Sequence, residues 1–215
     1  MTAETLRLMA WLSPAYPVGA YTYSHGLEWA VSSESVFNTS TAMAWIADAL
    51  QHGSGRNDAI LLAHAWRAAG DPDALAELAE LAAALAPSAE RLLETQAQGA
   101  AFADVTEAAW NSDHCRHAPY PVALGAAAGQ AGIDLHLTTA TFLQAFVSNL
   151  VSAAIRLVPL GQTDGQRIIA ELLPCCQQVA EEGNNAHLDE LGGSAVLADI
   201  ASMRHETQEV RLFRS

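Results

Sequence analysis

The chain has 215 residues, 51% of them hydrophobic, with a formal net charge of −14. That length and composition exclude a disordered polymer and allow one domain with a sizeable core, while the charge repels phosphate backbones and argues against a nucleic-acid partner. All 10 basic residues are arginines, so no GxxxxGK[ST] phosphate loop can exist, and no GxGxxG follows a strand pattern.

In chain order, the first organised stretch is "WLSPAYPVGAYTYSHGLEWAV", residues 11 to 31, where aromatic residues, prolines and a Ser-His pair crowd together. Ser24 is placed to cap a short helix over "HGLEWAV". Residues 39–52 carry Ala42, Trp45, Ile46 and Ala49 at helical spacing, and 56–69 continue with Ile60, Leu61, Ala63, His64 and Trp66. Asp71 and Pro72 open a further helix that Pro87 closes. Residues 88–110 read as a long helix with Leu92, Leu93, Ala97, Ala100 and Ala101 inward; Gly99 in its middle costs about 1 kcal/mol relative to alanine, which suits a close helix approach. Residues 111–121 read as a loop. The small-residue stretch "VALGAAAGQAG" and the apolar stretch 136–159 predict a closely packed helix and a central one. Thr163 and Gln166 stand at capping-box spacing before the next helix, and a last helix covers about 193–206. Almost nothing alternates with period two. The expected fold is all-α: a single compact multi-helix domain over 1–215, with about eight to ten helices in orthogonal or bundle-like packing and a distinct tail at 204–215.

Polar and charged residues break up the apolar stretch at 136–159, so a buried helix is expected there rather than a membrane span. Three cysteines, two of them adjacent (Cys175 and Cys176), make no disulfide framework. With no secretion signal at the start, a cytoplasmic location is expected.

The candidate chemistry is sparse. "DHCRH" (113–117) offers His114, Cys115 and His117 as potential zinc or nickel ligands, but no second ligand pair stands elsewhere, so a solvated loop without stable metal is expected. Ser24 and His25 are adjacent, which rarely aims a serine hydroxyl at the imidazole, and no strand-turn-helix elbow surrounds them. The acidic pairs Glu181-Glu182 and Asp189-Glu190 read as solvated surface. Arg156, late in an apolar helix, reads as a side chain reaching water, where its charge favours the helix C-terminus. The last 13 residues hold three arginines against two glutamates on an otherwise acidic body, which points to docking. Tyrosine and arginine dominate interface energies, so the aromatic entrance and the basic tail are the two candidate contact regions.

These same stretches carry a resemblance. "SPAYPVGAYTYSHGLEWAV", "QAQGAAF", "HAPYPVALGAAAG", "AAIRLVPLGQTDGQ" and "MRHETQ…RLFRS", spread in order over the whole chain, resemble the urease accessory protein F family. The resemblance implies an all-α, non-enzymatic chaperone that forms a homodimer and scaffolds nickel insertion into urease. It implies binding to accessory protein D (also called H) and recruitment of the GTPase accessory protein G, with apo-urease engaged through the complex in a GTP-dependent way. No cofactor is implied to stay bound, and nickel is handled by the complex. Tyr21, Ser24, His25, Gly26 and Glu28 match the motif implied to face the GTPase, and His117 and Pro119 match a segment implied to lie near it. Arg204, His205, Glu206, Thr207, Gln208, Arg211, Leu212, Phe213 and Arg214 match the tail implied to order on accessory protein D. Tyr16 and Tyr21 replace a common phenylalanine, and Glu209 replaces a common aromatic residue. Two other readings compete. One is a metal-binding protein or hydrolase using His114, Cys115 and His117. The other is activation of the GTPase by an inserted arginine, for which Arg116 is the nearest candidate.

Overall fold

Helices begin where short polar side chains can take up the first free amides. In the computed structural model, which describes residues 2–110 and 118–215, α1 (Ala3–Trp11) starts on the Thr2 hydroxyl and α3 (Thr39–His52) on an Asn38–Thr41 capping box. A single 3-10 turn at Ala20–Thr22 and the short α2 (Leu27–Ser32) lie between them. α4 (Ser54–Arg67) follows; α5 (Pro72–Ala84) opens on the Asp71 carboxylate with Pro72 in its first turn, as its sequence predicts. α6 (Ala89–Trp110), α7 (Tyr120–Gln130) and α8 (Leu135–Leu157) come next, the last capped by Asp134. α9 (Gln162–Asn185), a 3-10 turn at Leu188–Glu190 and α10 (Val196–His205) complete the described chain. Among the described residues there is no strand: the all-α expectation holds. The start of α9 differs from its predicted capping box. It begins at Gln162, and the Asp164 carboxylate reaches back to the Gly161 amide at 3.3 Å.

The centre of the fold is α7. Every residue from Pro121 to Ala128 is buried, and α4 lies against it more extensively than any other helix pair meets. An added Cβ at Gly125 or Gly129 would overlap the carbonyl oxygens of Leu62 and Trp66 on α4. The missing side chains therefore let two helix backbones touch. α8 packs mainly on α9 and presents Phe142, Leu143, Phe146, Val147, Leu150 and Val151 to the core. It is long and apolar enough to cross a membrane by length and composition, and its apolar inner face is used in this packing. The sequence made α8 the central helix; the all-round burial belongs to α7, because only a helix of alanine and glycine can be enclosed on every side at short interaxial distance.

α6 corrects a second expectation. Leu93 is 60% exposed, whereas Arg91, Glu94, Gln98, Phe102 and Thr106 are buried. The buried face packs mainly on α7 and carries its charges where it meets His25, the tail and a cavity. Gly99 lets α6 approach the Ala118 carbonyl, as its position predicts.

Candidate functional site

The opening segment turns twice through left-handed backbone. His25 (φ 54°) and Gly26 (φ 76°) adopt it in succession, and a non-glycine residue pays on the order of 1–2 kcal/mol there. The reason lies opposite. A Cβ on Gly26 would stand 2.6 Å from the Ser202 amide nitrogen and 2.9 Å from the Ala201 carbonyl carbon, so the backbone of α10 rests on this glycine. Gly26, not Ser24, is the residue at the cap of α2. The Ser24 hydroxyl reaches the Glu28 amide only at 3.4 Å and instead donates to the Ser215 carbonyl at 2.5 Å. It is committed to the tail and does not address His25 as a nucleophile would.

The tail lies along this segment. The Leu212 and Phe213 amides donate to the two Glu28 carboxylate oxygens at 2.7 and 2.9 Å, the Arg214 amide to the Thr22 carbonyl at 2.8 Å, and the Ser24 amide to the Ser215 carbonyl at 2.6 Å. Phe213 is buried beneath Arg156, whose guanidinium carbon stands 4.3 Å from the ring centroid while one of its nitrogens donates to the Tyr21 carbonyl at 2.8 Å. Arg156 reaches water as expected, and it also roofs the tail. His205, fully buried, sits between Glu90 (Nδ1 to Oε2, 2.6 Å) and Glu28 (Nε2 to Oε2, 3.1 Å); both nitrogens donate when the ring carries its proton. Arg211 adds a contact to Glu90 at 2.6 Å, and Glu206 accepts the Ala89 amide at the start of α6.

A second charged cluster lies beneath. His25 Nε2 is 2.9 Å from both an Arg91 nitrogen and a Glu94 oxygen, Arg91 pairs with Glu94, and the Ser215 hydroxyl donates to Glu94 at 2.8 Å. Burial lowers the His25 pKa, helped by Arg91 and opposed by Glu94. Burial would raise the Glu94 carboxyl, but Arg91 and His25 outweigh it and hold it at about 2. Asp58 nearby is pushed up to about 7 by burial and by Glu94, against Arg91. These residues edge a cavity of about 330 Å³ whose other wall includes Trp11, Tyr16, Tyr120 and Phe142.

The outer surface is apolar where α10 faces solvent. Val196, Leu197, Ile200 and Met203 are exposed, and Val210 and Leu212 continue the strip along the tail at 81% and 76% exposure. An apolar helix face turned outward marks an interaction surface.

The profile of the UreF family matches residues 36–173, more than half of the chain. Urease accessory protein UreF of Cereibacter sphaeroides is 54% identical over 215 residues, all of both chains. The chain belongs to the UreF family. Further members are similar at full length: the UreF of Rhodopseudomonas palustris is 50% identical over 223 residues, covering 99% of this chain and 94% of the relative, and that of Ruegeria pomeroyi 49% over 212, covering 99% and 97%. The family profile leaves out residues 11–31 and the tail, whereas the full-length relatives span both.

Of the residues matched to the UreF motif, Tyr21 is 64% exposed, whereas Ser24, His25, Gly26 and Glu28 are buried under α10 and the tail. Pro119 is buried too. Ser24 and Glu28 bond the tail directly, and Gly26 carries the backbone of α10. In this structure the tail is docked on its own chain through Glu28, Glu90 and Ser24. Arg204, Glu206, Thr207, Arg211, Leu212 and Arg214 are exposed, Gln208 is half-buried, and His205 and Phe213 are the buried anchors. His114, Cys115, Arg116 and His117 lie outside the described residues; among the described residues no three His, Cys, Asp or Glu side chains converge on a metal position. Sequence reading missed Glu90, Arg91 and Glu94. The usable signal was negative: α6 lacks a clean apolar stripe, which a helix burying charge must lack.

Proposed function

We propose that this chain is a non-catalytic scaffold in the maturation of urease. Its relatives are named urease accessory proteins, and its charged groups support holding rather than chemistry: Ser24, Glu28, Glu94 and His205 are each occupied by the tail or by one another. In this reading the chain works in the cytoplasm as a homodimer, binds accessory protein D (or H) and recruits the GTPase accessory protein G. The assembled complex passes nickel to apo-urease, with nickel as cargo rather than resident cofactor.

The observation that carries the docking side of this reading is the exposed apolar strip from Val196 to Leu212, mounted on a tail that buried charges hold in one position. Accessory protein D would cover that strip, and the GTPase would meet the exposed Tyr21 side of the same end. The test is co-purification with the other urease accessory proteins after substituting only outward residues. Leu197→Asp with Leu212→Asp leaves every anchor of the tail in place and is expected to abolish capture of accessory protein D with an unchanged thermal melt. Full capture by that double variant would sink the assignment.

A further inference from the structure

Around Arg91 three carboxylates gather among the described residues, Glu94 buried and Asp58 and Asp199 half-buried. Asp58, Glu94 and Asp199 all lie within its electrostatic reach, yet only Glu94 is in ion-pair contact with it. The carboxyl groups of Asp58 and Asp199 make no hydrogen bond or ion pair among the described residues. Burial and Arg91 together lower the His25 pKa, so that ring supplies no compensating charge at neutral pH.

Asp58 stands in the wall between two cavities. Arg91 lines both with it: the smaller, of about 110 Å³, also takes in Asp199, and the larger, of about 330 Å³, takes in Glu94 and the aromatic wall. Nδ1 of His25, a residue only 9% exposed that lines the larger cavity, lacks a partner. A buried polar group without a partner costs on the order of 1–3 kcal/mol. The carboxylates are too dispersed for a point ion. The wall suits a delocalised cation, which can give N–H donors to a carboxylate while its faces and apolar body meet aromatic rings.

We propose that the larger cavity binds a planar organic cation, an amidinium or guanidinium carried on an apolar body, with Asp58 as its ion-pair partner. The guest pairs with the Asp58 carboxylate and places its body among Tyr16, Tyr120 and Phe142. Its cationic group can belong to a free small molecule or to an arginine side chain of a partner protein. The site does not depend on the scaffold reading.

The probe is benzamidine, with the neutral benzamide as control, followed by titration calorimetry on the full chain. Saturable benzamidine binding at least ~10-fold tighter than benzamide is expected, with the preference lost in Asp58→Asn. Asp58 titrates near neutrality, so benzamidine should also release protons at pH 7 and bind the unaltered protein more tightly at pH 8 than at pH 6. That pH comparison stands even where the variant folds poorly. Equal binding of the two probes, no saturable benzamidine binding at millimolar concentration, or binding unchanged between pH 6 and 8 would overturn the proposal. Adding benzamidine during capture of the other accessory proteins separates the two sources: lost capture assigns the guest to a partner's arginine, and unchanged capture to a free molecule.

Discussion

Two contacts in this molecule hold chain segments together by opposite means. Between α4 and α7 the helices meet through absent side chains: Gly125 and Gly129 let backbone touch backbone, with alanines filling the seam. Between the opening segment and the tail the contact is made by charge, with Glu28, Glu90 and Glu94 taking up backbone amides, a serine hydroxyl, an arginine and a histidine. The first contact tolerates no added volume and is indifferent to pH. The second depends on its carboxylates, and the loss of one leaves several donors without an acceptor. The glycine seam is enclosed, whereas the clasp carries an apolar strip that faces solvent.

The largest expected effect tests the glycine seam. Gly125→Val places a branched side chain on the Leu62 carbonyl and should cost more than ~3 kcal/mol, at or above the upper end of core overpacking, read as lost cooperative unfolding in urea. Removing the central carboxylate of the clasp comes next. Glu28→Ala leaves two tail amides and the His205 ring without their acceptor and should cost about 3 kcal/mol. Its signature is fast hydrogen exchange at residues 211–215 with helical circular dichroism retained; protection of those amides in the variant would show that Glu28 does not hold the tail. Gly26→Ala combines left-handed backbone with a Cβ pressed on α10 and should cost about 1–3 kcal/mol, detaching α10 from α2. Arg156→Lys keeps the charge but loses the flat roof over Phe213, an expected loss of about 0.5–1 kcal/mol in a thermal melt.

The smallest effect lies in the pH dependence of the buried cluster. Glu94 titrates at about 2 in the fold against an ordinary 4.5, so its contribution is complete above that ordinary value and is lost as pH falls toward 2. Asp58 has the opposite sign. Its folded pKa of about 7 exceeds the ordinary 3.8, so the stability it lends below pH 4 is lost as pH rises to 7. His25, lowered by burial, works against Asp58, its contribution growing as pH rises toward 6.5. Asp58→Asn should therefore raise the Tm at pH 8 by up to about 2–4 °C, the shift that ~1 kcal/mol produces in a chain of this size, and leave it unchanged at pH 4. An equal shift at both pH values would mean that Asp58 acts by packing rather than charge.

Much of the helical framework could be read directly. Asp71, Pro72 and the 3.6-residue spacing in 39–52 located α5 and α3 because these signals act within a few residues of where they stand. The inner face of α6 could not be read this way. Apolar periodicity selected Leu93, which faces solvent, over Arg91 and Glu94, which are buried, because a charge is buried only where its partners come from elsewhere in the chain. The arginines of the tail stood out in the sequence, but the seat it takes on its own chain did not. Of the motif residues implied to face a partner, Ser24 and Glu28 hold the protein's own last residues here.

Local chemistry in the chain was enough to specify helices, their ends and a small-residue seam, since caps, periodicity and missing side chains exert their effects at short range. Which charges meet was settled only by the fold, which brings Glu28, Glu90, Glu94, Arg156 and the tail together across separations of up to 185 residues. At that distance no spacing rule survives, and a buried carboxylate is stable only when its distant partners arrive.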